Sequence, residues 1–85
     1  MNTSEKAIGS ITIIVKDRSE SASKVNEIIS QYSSLIIGRM GLPYSNRDMS
    51  IITLIVDATT DEIGALSGKI GQINGVAVKS SIIRT

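Results

Sequence analysis

Residues 64–69, GALSGK, hold two glycines and a lysine at a spacing close to that of a nucleotide-binding phosphate loop. That loop needs four residues between its glycines and a Ser or Thr after the lysine, because amides surround the phosphates while the hydroxyl reaches magnesium. Here three residues separate Gly64 from Gly68, and Ile70 follows Lys69. The string also lies inside a predicted helix rather than between a strand and a helix. We therefore exclude a phosphate loop.

The other polar residues give little support for catalysis. The chain has no His and no Cys, so it lacks the commonest general base and metal ligand as well as any thiol nucleophile. Asp57, Asp61 and Glu62 cluster at the predicted start of the second helix, where capping and dipole interactions explain them. A net charge of +1 provides no basic surface for nucleic acid. We expect no catalytic residue, no metal, no cofactor and no direct nucleic-acid contact.

Two groups of residues suit binding better than catalysis. Arginine recognises carboxylates and phosphates through paired hydrogen bonds, and the start of a helix offers free amides to anions. The first group surrounds the connection between the second and third predicted strands: Arg39, Gly41, Pro43, Tyr44 and Arg47. The second group lies on the second helix: Thr60, Gly64, Ser67, Gly68 and Gly71. A solvated hairpin end and ordinary capping are the alternatives for these residues.

The elements that position these groups follow the order β-α-β-β-α-β. Runs rich in Ile, Val and Thr predict the strands, helical spacing of apolar residues predicts the helices, and Thr59 with Glu62 has the form of a capping box. The predicted strands are 7–16, 34–40, 49–57 and 76–83, with a loop at 41–48; the helices run from a cap at Asp17 or Ser19 to Tyr32, and from Thr60 to 72 or 73. We predict a single α+β domain over residues 1–85, with 1–6 flexible.

This order is typical of the ferredoxin-like fold, with one four-stranded antiparallel sheet and both helices on one face. In the first strand Ile11, Ile13 and Val15 can face the helices, but Ile8 and Ile14 then lie on the other face. The third strand shows the same pattern. A small protein with an apolar second face needs a cover. We therefore expect a homo-oligomer, a dimer or tetramer, whose sheets stack or extend edge to edge.

The glycines of the second helix share one side of it. At about 100° per residue, Ser67, Gly71, Gly64 and Gly68 fall between roughly 40° and 140° from Ile63, beside the stripe that faces the core. Such a smooth side lets another backbone approach closely. Two interpretations stay open: the first helix packs against the glycines within one chain, or a neighbouring subunit or ligand contacts them.

Two motifs are specific enough to compare with a known family. One is Arg39-x-Gly41-x-Pro43, and the other is TDEIGALSGKIGQINGVAVK at residues 60–79, where the matching positions are Asp61, Ile63 to Lys69, Gly71, Gly75, Val76, Val78 and Lys79. Within residues 37–79 the chain closely resembles a small bacterial family, the iron-only hydrogenase system regulators or TM1266 family. The first third resembles it less distinctly, in its strand pattern and in Val25-Asn26-Glu27.

The resemblance implies an ACT-like fold similar to the C-terminal domain of the nickel-responsive repressor, and a regulatory role linked to [FeFe]-hydrogenase expression or maturation. The repressor binds nickel through His and Cys, which this chain lacks, so nickel sensing does not carry over. Because only about six residues precede the first strand, we expect no ribbon-helix-helix segment and no DNA-binding domain of its own. Any effect on transcription then acts through another chain.

Three functional hypotheses follow. The first is a regulatory ACT-like module, a homo-oligomer that binds a small-molecule effector at subunit interfaces. The second is a protein–protein assembly module with no ligand of its own. The third, an enzyme such as an acylphosphatase, is weakest, because the segment after the first strand, KDRSES, has Arg18 but no glycine. With no signal peptide and no apolar run of membrane length, we expect a cytoplasmic protein that does not enter membranes.

The glycine side yields a test. Gly68→Leu should perturb packing or assembly more than Lys69→Leu, because leucine at 68 fills a surface that must stay smooth, whereas position 69 lies outside it. Thermal melting and light scattering on both variants measure the two effects. Equal effects of the two substitutions would refute a functional small-residue side.

Overall fold

Four strands and two helices alternate along the chain in the order that the sequence predicts. The computed structural model describes residues 5–16 and 20–84. The elements are β1 (Lys6–Val15), α1 (Glu20–Gln31), β2 (Ile36–Tyr44), β3 (Met49–Thr59), α2 (Thr60–Gly71) and β4 (Val76–Ile83), with single 3-10 turns at Ser33–Leu35 and Ser45–Arg47. The predicted caps Asp17 and Ser19 lie outside the described residues, as do residues 1–4 of the segment predicted to be flexible; Lys6 already belongs to β1.

The strands form one antiparallel sheet in the order β2-β3-β1-β4. The two crossovers, α1 and α2, cover the same face, as predicted for the ferredoxin-like fold. Alternate residues of the central strands point toward the helices: Ile11 lies opposite Leu54, and Ile13 lies opposite Ile52. All four side chains are buried. The predicted sheet and its helix-facing residues are therefore confirmed.

The core consists almost entirely of aliphatic side chains. Val25 and Ile29 of α1 and Ile63, Leu66 and Ile70 of α2 pack onto the buried residues of β1 and β3. Branched side chains have few rotamers and pack well against a pleated surface. Buried isoleucines, valines and leucines thus fill the role that aromatic rings have in many small domains.

The direction of the main-chain hydrogen bonds follows from one contact at the end of the sheet. The Lys16 N–H donates to the Gly75 carbonyl at 2.8 Å, so residue 75 directs its polar groups toward β1. In an antiparallel ladder this direction alternates along a strand. The odd-numbered residues of β4 therefore bond to β1, while Val78, Ser80 and Ile82 direct their N–H and C=O groups outward.

The same alternation passes through the sheet to its other edge. Even-numbered residues of β1 bond to β4, so its odd-numbered residues bond to β3, and the odd-numbered residues of β3 bond to β2. With Met40 opposite Thr53 and Leu42 opposite Ile51, the polar groups of Arg39, Gly41 and Pro43 point away from the sheet. The Arg-x-Gly-x-Pro motif thus occupies the outward positions of β2.

The prediction of a loop at residues 41–48 is wrong for its first half. β2 continues to Tyr44, and the connection to β3 is the short turn Ser45–Asp48, in which Asp48 has φ 51°. Pro43 misled the prediction, because proline cannot donate to a ladder. It fits here since β2 is an edge strand and residue 43 faces outward, where its missing N–H removes no bond to β3.

Two hydrogen-bonded contacts fix the helices. Thr59 and Glu62 form the predicted capping box at the start of α2. At the start of α1, the buried Ser21 hydroxyl donates to the Asn74 carbonyl at 2.7 Å, in the turn before β4. The two strand–helix–strand halves of the chain are therefore joined by a buried polar contact as well as by the core.

At Gly9, β1 lies close to a side chain of α2. A Cβ atom there would lie 3.0 Å from Ile63 Cδ1 and 3.2 Å from the Ser81 carbonyl oxygen, whereas a Cβ at Gly41 would meet nothing within 4 Å. We expect Gly9→Val to lower the free energy of unfolding by about 1–3 kcal/mol through overpacking.

The matched control is Gly41→Val, for which we expect a change within about 0.5 kcal/mol in urea unfolding. Equal losses for the two variants would show that the close approach at Gly9 does not limit side-chain size.

Candidate functional site

Arg39 is held at the edge of the sheet by the first helix. Its side chain lies on the helix-bearing face of β2, because Arg39 pairs with the inward-facing Leu54. One guanidinium nitrogen, Nη2, donates to Asn26 Oδ1 of α1 at 2.6 Å, and Asn26 Nδ2 donates to the Ala22 carbonyl at 3.0 Å. The orientation of the arginine is thus fixed by a side chain that is itself held to its helix.

Open space lies beside this arginine. Gly41 and Pro43 are the next residues on the same face of β2, and a Cβ at Gly41 would have no neighbour within 4 Å. A guanidinium has five N–H groups, and Asn26 accepts from one nitrogen, so the guanidinium has further donors for a ligand. We call Asn26, Arg39, Gly41 and Pro43 the Arg39 corner. It can present a fixed cation and paired donors to a small anion.

The structure separates Tyr44 and Arg47 from this corner. Tyr44 lies opposite Met49 at the end of the hairpin, on the face without helices, and Arg47 is the last residue of the turn Ser45–Arg47. The sequence grouped them with Arg39 only because they are close in the chain. Asn26, in contrast, is absent from the predicted site. Two features of the sequence could have indicated it: the family-like string Val25-Asn26-Glu27, and its position one helical turn after Ala22.

The start of α2 already holds an anion of its own. The Glu62 amide donates to Thr59 Oγ1 at 3.1 Å, while the Glu62 carboxylate accepts from the Thr59 amide at 2.9 Å and from the Thr59 hydroxyl at 3.1 Å. The backbone N–H and then the hydroxyl of Thr59 lower the pKa of Glu62 below its ordinary value. This carboxylate adds a negative charge close to Thr60, which disfavours the binding of an external anion there.

The glycine side of α2 faces away from α1. Among the described residues, a Cβ added to Gly64 or Gly68 would meet nothing within 4 Å, and one at Gly71 would lie 3.1 Å from Val78 Cγ1 of β4. On the opposite side of α2, Lys69 Nζ lies 5.2 Å from the centre of the Tyr32 ring, next to the end of α1. The interpretation in which the first helix packs against these glycines is therefore wrong, because α1 lies on the other side.

The two predicted groups therefore occupy opposite edges of the molecule. Arg39, Gly41 and Pro43 belong to the β2 edge, whereas Gly64, Ser67, Gly68 and Gly71 lie on α2, which meets β4 through the contact of Gly71 with Val78. Nothing in this arrangement joins them into one site. Among the described residues, nothing lies within 4 Å of a Cβ at Gly68, so we expect the effect of Gly68→Leu to come mainly from assembly.

The sheet face without helices, which we call the open face, carries an apolar row across all four strands. Leu42, Ile51, Ile14 and Ala77 lie in register from edge to edge. Leu42 is 53% exposed and its neighbour Met40 is 68% exposed. A depression of about 190 Å³ lies beside this row, lined by Thr12, Ile14, Ala77, Val78 and Lys79. It is smaller than an ordinary ligand pocket of about 300 Å³ or more, so the face suits a covering surface better than an enclosed ligand.

The βαββαβ order, the sheet order and the helices on one face place the protein in the ACT-like class of ferredoxin-like folds. Within that class it belongs to the TM1266-like family, whose description is "Iron-only hydrogenase system regulator, putative" and whose family model matches residues 7–80. The resemblance and the fold inferred from the sequence are both confirmed. No curated protein matches the chain.

Solved structures agree with this assignment. The uncharacterized protein TM1266 from Thermotoga maritima is 43% identical, with a TM-score of 0.90, over 93% of this chain and 99% of that one. The ACT domain of a GTP pyrophosphokinase from Chlorobium tepidum is 18% identical, with a TM-score of 0.74, over 89% and 99%. The C-terminal domain of MgtC from Mycobacterium tuberculosis is 16% identical, with a TM-score of 0.72, over 99% and 95%. The last two show a shared fold alone.

Among the described residues, neither helix has the length and apolar character needed to cross a membrane. Within residues 5–16 and 20–84, no three acidic side chains lie close enough together to hold a metal ion. The candidate binding surfaces of the described residues are therefore the Arg39 corner, the open face and the two sheet edges.

Glu62 gives a prediction about pH. Its folded pKa is lowered from 4.5, so its charge stabilises the fold above the unfolded pKa, and this stabilisation is lost as pH falls through the folded pKa. Glu62→Gln keeps the shape and an acceptor but removes the charge. We expect wild type to melt at a higher temperature than the variant at pH 7, and the gap to shrink below about pH 4.5.

Thermal melts of both proteins between pH 7 and pH 3 measure this gap. A gap that stays constant over that range would show that the carboxylate charge does not stabilise the helix start.

Proposed function

We propose that this protein is a regulatory ACT-like module that binds a small anionic effector at the Arg39 corner and works as a homo-oligomer. In this proposal it serves [FeFe]-hydrogenase expression or maturation in the cytoplasm, makes no DNA contact of its own and catalyses no reaction. The family description as a hydrogenase system regulator supports the regulatory role.

The observation that carries the proposal is the hydrogen bond of 2.6 Å between Arg39 and Asn26 beside the open space at Gly41. A flexible surface arginine would lose side-chain entropy on binding an anion. Here Asn26 has already restricted the guanidinium, so less entropy remains to be lost. Planar carboxylates and phosphates match its paired donors.

The exposure of Arg39 and of the open face supports a homo-oligomer. Arg39 is exposed in the single chain, and water around an exposed ion pair weakens it to about 1 kcal/mol or less. A second subunit that covers part of the corner would exclude water and strengthen the contact. The open face, on the other side of the same β2 strand, supplies the apolar area for such a subunit through Met40 and Leu42.

The test is a thermal-shift panel of small carboxylates and phosphate esters, run together with light scattering. At least one compound should raise the melting temperature of the wild-type oligomer. Arg39→Ala should weaken its binding by about tenfold or more, since hydrogen bonds to charged groups contribute about 1.5–3 kcal/mol. Asn26→Ala should weaken it less, because the guanidinium remains but is no longer oriented.

Arg47→Ala is the matched control, since it removes an exposed arginine from the adjacent turn. It should bind as wild type does. A panel without any shift, equal losses for the two arginines, or a clean monomer in light scattering would contradict the proposal.

The second candidate is an assembly module without a ligand. The apolar row on the open face favours it, because a surface of this kind binds protein more readily than a charged metabolite. A flat panel, together with retention of a purified hydrogenase-system protein that Leu42→Lys abolishes, would support this candidate over the first.

A further inference from the structure

The outer edge of β4 is a surface that the proposed effector site does not use. β4 ends the sheet order, and the direction set by the Lys16–Gly75 hydrogen bond leaves Val78, Ser80 and Ile82 with outward N–H and C=O groups. Such a row of unpaired groups is a ready template for another strand.

The two edges of the sheet differ in their protection. Proteins guard exposed edges with prolines, bulges and charges. β2 has Pro43 at an outward position and an irregular pairing between Ile36 and Gly38. β4 pairs with β1 without a register shift from Val76 to Ile83, has no proline and carries one charge, Lys79. Its edge is therefore left regular and able to pair.

The helix beside β4 leaves room for a partner. A Cβ at Gly71 would lie 3.1 Å from Val78 Cγ1, and in the described part of the chain nothing lies within 4 Å of a Cβ at Gly64 or Gly68. Large side chains on this side of α2 would project over the strand edge. Glycines let a second backbone approach both the helix and the strand.

We propose that β4 pairs antiparallel with β4 of a second copy of this chain, about a two-fold axis at Ser80, so that two sheets become one. Ser80 then lies opposite its own counterpart, and Val78 lies opposite Ile82 of the partner subunit. Both pairs have outward polar groups, so the two strands exchange about six main-chain hydrogen bonds.

The charge pattern is compatible with this register and disfavours the one centred on the neighbouring residue. With the axis at Ser80, Lys79 lies opposite Ser81 of the partner subunit. An axis at Lys79 would place two ammonium groups directly opposite each other, which is unfavourable. The apolar pairs also match, because Ile82 is 41% exposed in the single chain and gains an apolar neighbour in Val78.

This contact goes beyond the proposed function, since it needs neither the Arg39 corner nor a ligand. It is also separate from the open face, which lies perpendicular to the strand edge. A monomeric wild-type chain would contradict both proposals. For a chain that associates, the two can fail separately, because the effector panel tests Arg39 and the following association measurements test β4.

Ser80→Pro removes the outward N–H at the centre of the pairing, whereas the bonds of β4 to β1 come from the odd-numbered residues. We expect the dissociation constant in analytical ultracentrifugation to rise about tenfold or more, with circular dichroism and melting of the dissociated chain close to wild type. Ser80→Ala keeps the N–H and should associate as wild type does.

Cysteine cross-linking tests the register without relying on the proline variant. The chain has no Cys, so Ser80→Cys introduces a single thiol, and its Cα should lie about 5.5 Å from the same atom of the partner. A short bismaleimide should link Ser80→Cys efficiently. Val78→Cys alone should not link, but a mixture of Val78→Cys with Ile82→Cys should.

Several results would overturn the proposal. A wild-type chain that stays monomeric would do so, as would equal association of Ser80→Pro and Ser80→Ala. Cross-linking of Val78→Cys alone that is as efficient as that of Ser80→Cys would contradict the register. Finally, Leu42→Lys could abolish assembly while Ser80→Pro leaves it unchanged. The last result would assign the contact to the open face.

Discussion

The alternation of an antiparallel ladder is the constraint on which the rest of this structure depends. Each residue of a strand sends its side chain to one face and its polar groups to one neighbour, and both change at the next residue. Once Lys16 bonds to Gly75, the direction of each regularly paired position in the four strands follows. The residues of the core, of the open face and of the two outward edges are thus set by one register.

That register explains why so much of the fold could be predicted. Ile11, Ile13 and Val15 alternate with smaller or polar residues, and Thr59 and Glu62 mark the start of α2, so local patterns were sufficient for the elements and the core. The family-like motif at residues 60–79 fixed the class of protein. The bounds of β1, β3 and α2 differ from the prediction by one or two residues. The larger error is at β2, since Pro43 indicates a loop unless it is known that the strand lies at an edge.

The candidate site could be predicted only in part, because distance along the chain is a poor guide to distance in space. Arg39 and Asn26 are 13 positions apart and form a hydrogen bond, whereas Arg47, closer to Arg39 in sequence, lies in a separate turn. The glycines of α2 were recognised as one smooth side, but helical periodicity alone does not say which neighbour that side faces. The contacts of Gly71 with Val78 and of Lys69 with Tyr32 decide it.

The buried contact between Ser21 and Asn74 gives α1 a mechanical role. A helix of 12 residues is a stiff rod about 18 Å long, and this one is tied near its start to the turn before β4 and, five positions later, through Asn26 to the arginine of β2. The same helix therefore contacts both halves of the chain. By thermodynamic linkage, if an event at one edge changes the free energy of an event at the other edge through α1, the second event changes that of the first by the same amount.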